Sequence, residues 1–273
     1  MSPARALGRA VRLETVKALT TWVWWGLLVV ALALVAVNVG LVAAILPVDG
    51  QQGPDGFGLP PLGTAAGQLA VLGFGYQPGY LMAAVTGAVL AAGDFRNRTM
   101  APTLLVVPSR GAVSAGKSVV GLVVGVVHGL AVQAVSLLLL AVVATARGLD
   151  LAPAADLARP LVLGVAGIAV WALLGVAFGL LVRNLVVAVV VLVVVVFLVD
   201  PLLALVLGGV GEVGGVDLAE VGAYLLTNAS TAAVEGFTGA QLLPWWGGLL
   251  VLLGWAAVLT GAASVVSLRR DVG

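Results

Sequence analysis

Cysteine is absent from this 273-residue sequence, and histidine occurs only once, at His128. The chain therefore excludes disulfides, thiolate metal sites and metal sites built from several of its own histidines. Charged residues are also scarce, at 9% of the chain, where a soluble domain carries roughly a quarter. With 62% hydrophobic residues and a mean hydropathy of +1.19, too few polar side chains remain to cover a water-soluble fold. The composition predicts an all-α polytopic membrane protein.

Six apolar segments are long enough to cross a bilayer, since a transmembrane helix needs about 20 apolar residues. The first is too long for the apolar part of a secretory signal and lacks a small-residue cleavage site, which predicts a retained helix. The fourth and fifth are separated only by Arg183-Asn184, so we expect antiparallel neighbours joined by a tight turn. The segments are Trp22–Leu46, Ala65–Ala92, Ser118–Ala146, Leu161–Val182, Leu185–Leu207 and Pro244–Leu268.

The placement of lysine and arginine predicts the orientation of these spans. If the N-terminus is cytoplasmic, 11 of the 13 basic residues lie inside, and only Arg147 and Arg159 lie outside. Most acidic residues fall on the opposite side. Six spans then bring both termini to the cytoplasmic face, and the Ala/Val/Gly/Leu-rich composition favours a bacterial cytoplasmic membrane.

Residues 1–21 are predicted to form an amphipathic helix at the inner membrane surface. At about 100° per residue, Arg5, Arg9 and Arg12 fall within one sector of about 60°. This pattern suits a helix whose arginines face lipid phosphates. A basic anchor that only fixes topology is equally compatible with it. The predicted apolar face consists of Ala4, Leu7, Val11 and Ala18.

The stretch 201–243, between the fifth and sixth spans, is half-hydrophobic. Asp217 stands three residues before Glu220, which resembles a capping box, and Leu218, Val221 and Leu225 then share one face. We expect short helices that dip back into the outer leaflet, with a partly ordered surface loop as the alternative. Asp200-Pro201 is expected to break the fifth span near its outer end.

The segment from Gly93 to Lys117 is a basic island between the second and third apolar runs. It contains Asp94-Phe95-Arg96-Asn97-Arg98-Thr99, then Pro102-Thr103-Leu104-Leu105, then Pro108-Ser109-Arg110. The order resembles the cytoplasmic coupling segment of ABC-2-type transporter permeases, where an acidic residue, basic residues, Gly-Thr, leucines and Pro-x-Arg precede a lysine. Two departures are visible: Asp94 replaces the common glutamate, and Asn97-Arg98 replaces the glycine before Thr99.

The resemblance implies an elbow helix at 1–21 and a six-helix transmembrane domain at 22–273, with coupling segment 93–117 and re-entrant helices within 201–243. It implies that a separate ABC ATPase subunit binds ATP and Mg, while this permease chain holds no cofactor or catalytic residue and binds no nucleic acid. A second permease copy or a paralogue would complete the membrane part, exporting a hydrophobic or amphipathic small molecule or lipid. The residues implied to contact the ATPase are Asp94, Arg96, Arg98, Thr99, Pro108 and Arg110.

Residues 111–118 match the phosphate-loop pattern G-x-x-x-x-G-K-[ST] letter for letter. That chemistry needs a buried strand before the loop and a soluble helix after it. Here a short basic loop precedes the match, and the following helix enters the membrane. We interpret the match as fortuitous and expect Lys117 to be a snorkelling membrane anchor, as Arg5, Arg9 and Arg12 are.

Polar residues inside the predicted spans are few, and His128, Gln133 and Asp200 are candidates for a pathway or for helix packing. His128 lies about 16 Å above Lys117, at about 1.5 Å per residue. A polar group at that depth is a functional candidate, yet a hydrogen bond to a neighbouring helix is the simpler role. On the same helix, the glycine row Gly121, Gly125 and Gly129 predicts a close helix contact.

Two other function classes remain open. An ion-coupled secondary carrier needs charged groups deep in the bundle, and apart from His128 the spans offer few. A membrane enzyme needs a Ser/His, Asp/Asp or metal constellation, which the spans lack, whereas an assembly scaffold needs none.

Overall fold

A computed structural model describes residues 2–49, 59–182, 184–214, 219–234 and 243–269, and every regular element in these ranges is helical. The all-α class is thereby confirmed. In chain order the elements are α1 (Pro3–Thr20), α2 (Trp22–Ile45), α3 (Ala65–Arg96), α4 (Met100–Val106), α5 (Arg110–Ala146), α6 (Ala154–Val182), α7 (Leu185–Val194), a π-helical turn (Val195–Val199), α8 (Asp200–Gly214), α9 (Ala219–Gly222), α10 (Leu226–Ala233) and α11 (Trp245–Arg269).

Five helical segments in the described part of the chain are long and apolar enough to cross a membrane. They coincide with five of the six predicted spans and give the chain the character of a membrane protein. The remaining predicted span is α3, which is long enough at 32 residues but carries Tyr76, Gln77 and Tyr80 near its middle. The five segments are Trp22–Ile45, Arg110–Ala146, Ala154–Val182, Leu185–Gly208 and Trp245–Val265.

Helices α3 and α6 form the centre of the bundle, and α3 also packs against α2, α5 and α7. Their backbones touch, because a Cβ added to Gly175 would overlap the carbonyl oxygen of Ala84, and one added to Gly87 would overlap that of Ala172. Such contacts require small residues on both helices. A helix with polar residues near its middle can occupy this position because other helices cover it.

Helix α5 lies against α6 through the glycine row that the sequence predicted. A Cβ on Gly125 would come within 2.7 Å of the Cα of Ala169, and one on Gly129 within 2.9 Å of the Cα of Val165. The predicted close contact is therefore confirmed, and α6 is its partner. This contact completes a central layer of α3, α5 and α6.

The outer faces of the bundle are apolar. In the most hydrophobic stretch of α6, 61% of residues are buried, against 22% or 33% in the other four spanning segments. The latter segments therefore lie further out in the bundle and turn large aliphatic side chains outward, as a lipid environment requires. Examples are Val29, Leu41, Leu138, Val186, Leu205 and Val258.

The fifth span does not break at Asp200-Pro201 as predicted, because the helix continues to Gly214. A π-helical turn at Val195–Val199 directly precedes the proline. The backbone ladder already changes register in such a turn, so the missing N–H of Pro201 is accommodated there. At the start of this span, the predicted turn residue Arg183 lies outside the described residues, whereas the Asn184 side chain caps α7.

Short helices follow the fifth span, as expected for the stretch 201–243. Helix α10 packs against α11 and α6. Of the predicted capping box, Asp217 and its neighbour Leu218 lie outside the described residues. The described part of this stretch turns back onto the bundle, and two buried polar groups hold it there.

Candidate functional site

Two lysines and two carboxylates meet where α1, the end of α3 and the start of α5 converge. Lys17 Nζ lies 2.9 Å from Glu14 Oε1 and 2.8 Å from Asp94 Oδ2. Lys117 Nζ lies 2.8 Å from Glu14 Oε2 and 2.6 Å from Asp94 Oδ2. These four side chains form a closed ring of alternating charge, which we call the ionic cluster.

The ionic cluster is largely shielded from solvent. The side-chain exposure is 1% for Lys117, 5% for Glu14 and 8% for Asp94, while Lys17 is 30% exposed. Burying a charge is costly unless it is paired and hydrogen-bonded. The balance of two ammonium and two carboxylate groups therefore makes this arrangement possible.

Two threonine hydroxyls tie the coupling segment to the ionic cluster. Thr99 donates a hydrogen bond of 2.7 Å to Asp94 Oδ1, and Lys17 donates one of 3.0 Å to Thr103 Oγ1. Thr103 in turn donates to the carbonyl oxygen of Thr99 at 2.8 Å. Helix α4 is thus hydrogen-bonded directly to α1 through Thr103, and the turn before it is bonded to Asp94 of α3 through Thr99.

The charges of the ionic cluster shift the pKa of two members. Burial alone would raise the pKa of Asp94, but Lys117 and the hydrogen bonds from Lys117, Lys17 and Thr99 outweigh it and hold this pKa below its ordinary value. Burial alone would lower the pKa of Lys17, but Asp94 and Glu14 raise it above its ordinary value. Both groups therefore stay charged around neutral pH.

The structure corrects the role predicted for Lys117. Instead of reaching the lipid interface as an anchor, Lys117 is 2% exposed, and its Nζ also donates to the carbonyl oxygen of Leu90 at 3.3 Å. Glu14 supplies the charge that makes this burial possible, and no local sequence pattern links the two residues.

The phosphate-loop match at residues 111–118 lies entirely within the helix α5. Ser109 caps this helix by accepting from the backbone N–H of Ala112 at 3.3 Å. A phosphate loop needs backbone N–H groups that converge ahead of a helix, whereas N–H groups beyond the first turn bond to their own helix. Together with the engaged ammonium of Lys117, this geometry leaves no phosphate cradle at the motif.

Five side chains of the coupling segment face outward. Arg96, Arg98 and Pro108 are exposed, Leu105 is 85% exposed and Val106 is 51% exposed. We call these five residues the coupling surface. Two of the six predicted partner contacts, Asp94 and Thr99, belong instead to the ionic cluster and its hydrogen bonds, and Arg110 is half-buried at the start of α5.

Arg98 has a φ of 55°, in the left-handed region that favours glycine. This is the position where the family resemblance expects glycine. A residue with a Cβ costs roughly 1 kcal/mol there. The backbone N–H of Thr99 closes this turn with a bond of 3.0 Å to the carbonyl oxygen of Asp94.

Helix α1 packs on α5 through a face that shares Ala18 with the predicted one but is otherwise rotated from it. Its buried face consists of Ala6, Ala10, Glu14 and Ala18, whereas Leu7 of the predicted apolar face is exposed. The close approach needs Gly116, where a Cβ would lie 2.8 Å from the Cβ of Ala10. Arg5, Arg9 and Arg12 are exposed on the far side of the helix.

His128 and Gln133 of α5 contact neighbouring helices. The fully buried His128 has Nδ1 3.1 Å from the carbonyl oxygen of Val124 and Nε2 3.4 Å from Thr86 Oγ1 on α3. Gln133 donates to the carbonyl oxygen of Leu161 on α6 at 3.4 Å. Both geometries favour packing, which is one of the two roles considered for these residues.

At the other end of the bundle, Asp200 caps α10. Its carboxylate accepts from the backbone N–H of Leu226 at 3.3 Å and of Thr227 at 2.6 Å, and from the Thr227 hydroxyl. A negative charge is stabilised at a helix N-terminus. Asp200 is thus buried in a structural role, one of the two considered for it, although the cap on α10 itself was not predicted from sequence.

One turn into α10, a serine that sequence reasoning did not single out holds the helix in the bundle. The Ser230 hydroxyl lies 2.7 Å from the Tyr76 hydroxyl of α3 and accepts from Trp171 Nε1 of α6 at 2.7 Å. The Trp171 ring stacks on Tyr80 with centroids 4.5 Å apart. Asp200 and Ser230 together fix both the start and the middle of α10. We call these two residues the α10 contacts.

An uncharged cleft of about 240 Å³ opens between α3, the π-helical turn and α10. A second cleft of about 220 Å³ adjoins it, because both are lined by Gln77 and Phe197. No charged side chain lines either cleft in the described residues. The hydrogen-bonding side chains of the first are Tyr76, Gln77, Tyr80, Thr227, Asn228 and Thr231; the second adds Asn38 of α2.

Neither protein-family models nor curated proteins match this chain.

Proposed function

We propose that the chain is the transmembrane permease subunit of an ATP-driven ABC-2-type exporter, and that a separate subunit hydrolyses ATP. The coupling surface is the observation that carries this proposal. Leu105 and Val106 form an exposed apolar tip beside the exposed Arg96 and Arg98. The ionic cluster holds the base of the same segment through Asp94.

Lipid does not account for this tip. The charge distribution predicts that the segment lies in the cytoplasm, where a leucine that is 85% exposed gains nothing from water. A soluble partner with an apolar socket and an acidic rim would cover Leu105 and pair with the arginines. An ABC ATPase subunit is the partner that the resemblance implies.

The connectivity supports transmission of motion. Residue Arg96 ends α3 and residue Arg110 begins α5, so a force on α4 reaches both helices within a few residues. In the proposed cycle ATP closes the ATPase dimer, pushes the coupling surface and tilts the central layer of α3, α5 and α6 within the bundle. Access would then switch from the inside to the outside.

The uncharged clefts support an amphipathic substrate. In the proposal α3 also crosses the membrane, in addition to the five segments named above. Gln77, which is exposed about halfway along α3, then lies near mid-membrane. An exposed amide is costly in hydrocarbon, so this face suits a ligand, water or a second permease copy better than lipid tails. The clefts combine hydroxyl and amide groups with apolar side chains such as Phe197 and Leu34, a lining that fits a neutral molecule with a polar head and an apolar body.

The proposed setting is a bacterial cytoplasmic membrane with both termini in the cytoplasm and the arginines of α1 near lipid phosphates. A second copy or a paralogue would cover the face of α3 that carries Gln77. The ion-coupled carrier remains the alternative. No geometry favours it specifically, since His128 and Asp200, the two deep titratable groups considered, are both hydrogen-bonded to the helices around them.

The test is affinity purification of the tagged chain from its native host in mild detergent. A stoichiometric ATPase should accompany the parent protein and should be lost when Arg96 and Arg98 are both changed to glutamate. A second variant, Leu105→Glu, should also lose it, because a charge cannot enter an apolar socket.

The matched control changes Arg5 and Arg9 to glutamate, which reverses two exposed arginines on the same predicted side but outside the coupling surface. This control should keep the ATPase. If the parent protein is intact and no ATPase accompanies it, the permease proposal fails and the carrier or scaffold replaces it. Equal loss in the control would show that general surface charge, not the coupling surface, holds the ATPase.

A further inference from the structure

One stripe of α1 lies directly under the coupling segment. Its residues follow the spacings of three and four that align side chains on a helix: Ala10, Leu13, Glu14 and Lys17. Ala10 and Leu13 pack in a small apolar cluster with Met100, the first residue of α4, and Val107, which directly follows that helix. One turn further along, Glu14 and Lys17 enter the ionic cluster. The N-terminal helix therefore contacts the segment by apolar packing and by charge.

Helix α4 is short and buries few of its own side chains. It spans only seven residues and has no side-chain cap at Thr99, and isolated helices of that length are unstable in water. Only Met100 and Thr103 of α4 are buried. Met100 lies in the cluster with Ala10, and Thr103 accepts the hydrogen bond from Lys17. Both buried residues of α4 thus have partners on α1, and the cluster of Met100 also includes Val113 of α5.

Glu14 is the least replaceable member of the stripe. Its two carboxylate oxygens bond to different lysines, Oε1 to Lys17 and Oε2 to Lys117, and both lysines also bond to Asp94. Glu14 therefore connects α1 with α5 and, through the lysines, with the end of α3. Without its charge, two ammonium groups would face the single carboxylate of Asp94.

We propose that α1 supports the coupling segment and that Glu14 is a positioning residue. Glu14 sets the angle at which Leu105 and Val106 meet the soluble partner. This inference rests on the proposed function, since it assumes a partner at the coupling surface. Glu14 itself does not touch that partner. It acts through Lys17 and Lys117, so its loss should disturb transmission more than attachment.

The experiment uses the full chain, whose lack of cysteine allows two spin labels at Gly8→Cys and Ala101→Cys. Both sites are exposed, the first on α1 and the second on α4. Dipolar broadening in the EPR spectrum reports the spread of the distance between the labels. The parent should give a narrow spread, and Glu14→Gln a clearly wider one, while the protein remains monodisperse and helical.

Two further variants sharpen the result. Glu14→Gln combined with Lys117→Gln restores the charge balance around Lys17 and Asp94, so the spread should narrow again. Asp156→Asn removes an exposed acid at the opposite end of the bundle and should leave the spread unchanged. A spread that is the same in Glu14→Gln as in the parent overturns the inference.

The second measurement is ATP hydrolysis by the purified complex relative to the ATPase alone. Glu14→Gln should keep the ATPase bound at the parental stoichiometry but lower the stimulation roughly 2- to 30-fold, a range typical of residues that couple distant sites. The combined variant with Lys117→Gln should recover much of that stimulation. A purely structural role would reduce the yield of complex instead.

The two proposals fail in different ways. If no ATPase accompanies the parent chain, the proposed function fails, and the positioning role fails with it whatever the spin labels show. If the ATPase binds and the Glu14→Gln complex hydrolyses ATP at the parental rate, only the positioning role is overturned. A wider spread together with reduced stimulation and unchanged stoichiometry supports both.

Discussion

The two ends of the bundle hold a short helix in different ways. At the end of α3 that leads into α4, the four charged side chains of the ionic cluster, Lys17 and Asp94 among them, form a ring with no net charge. At the other end, a single carboxylate, Asp200, caps α10, and the neutral hydroxyl of Ser230 joins it to the bundle. The first arrangement depends on charge balance and fails as a whole when one member is neutralised. The second is a sum of separate hydrogen bonds, which can be removed one at a time.

The largest effect should follow from Lys117→Met. This change leaves the carboxylates of Glu14 and Asp94 facing one lysine, and removing one partner of a buried ion pair costs about 3–5 kcal/mol of unfolding free energy. Thermal unfolding in detergent, followed by circular dichroism, measures the loss. Adding Glu14→Gln to Lys117→Met restores the balance and should recover part of the stability.

The control for this change is Arg159→Met, which removes an exposed cation that lies 4.8 Å from the ring of Trp245. An exposed cation–π contact is worth about 0.5–1 kcal/mol, so this variant should lose much less stability. Equal losses in the two variants would contradict the view that the ionic cluster depends on burial and balance.

Acid should loosen the ionic cluster and spare the hydrogen bonds of Ser230. The pKa of Asp94 lies below its ordinary value of 3.8, so its contribution is complete above that pH and is lost as the pH falls through the lowered value. The pKa of Lys17 lies above 10.5, so its contribution is present below that pH and is lost as the pH rises through the raised value. Between these limits stability should be flat with respect to this cluster.

The measurement compares the parent with Asp94→Asn across this range. The stability difference between them should be constant near neutral pH and shrink toward zero in acid, since protonated Asp94 has lost its charge as the variant has. A difference that grows as the pH falls would contradict the sign of the Asp94 pKa shift. Ser230→Ala serves as the pH-independent reference.

A smaller effect is expected at Ser230, one of the two α10 contacts. Ser230→Ala leaves the hydroxyl of Tyr76 and the indole N–H of Trp171 buried without this partner, at a cost of about 1–3 kcal/mol. Hydrogen exchange of the α10 amides should rise while that of α4 stays unchanged. Increased exchange at α4 would mean that the two ends are not independent.

The smallest effect, and a favourable one, should come from Arg98→Gly. Glycine adopts the φ of 55° without the clash of a Cβ, which relieves roughly 1 kcal/mol of strain but gives back part of it as backbone entropy in the unfolded chain. Arg98→Ala is the matched control, because it removes the same side chain and keeps the Cβ. The two variants should therefore differ in unfolding temperature, with glycine higher.

Local pattern was enough to predict the all-helical class and five of the long apolar helices. The predicted spans begin or end within a residue or two of the helices at Trp22–Ile45 and Trp245–Arg269, because uninterrupted apolar runs of that length leave few alternatives. Helix α5 begins earlier than its predicted span, at Arg110, because polar residues extend the helix beyond its apolar part. The break predicted at Pro201 was wrong because the π-helical turn accommodates the proline.

The candidate site was predicted less completely. The exposed arginines of the coupling segment could be found from sequence, since they stand in one short island. The pair Glu14–Lys117 joins residues 103 positions apart, and Tyr76–Ser230 joins residues 154 positions apart. Such pairs exist only once the helices have packed, so nothing in a single sequence connects them. For the same reason Lys117 resembled an anchor until Glu14 was found beside it.

The backbone contact between α3 and α6 has a mechanical consequence. Because Gly87 and Gly175 let each helix rest on the carbonyl groups of the other, the two backbones touch at these points with no side chain between them that could rearrange to permit sliding. The two helices should therefore move as one rigid body when a force acts on either of them. A force applied at Arg96 would then tilt the two helices together. A methyl group at Gly175 would push against the carbonyl oxygen of Ala84 and change the crossing angle between α3 and α6.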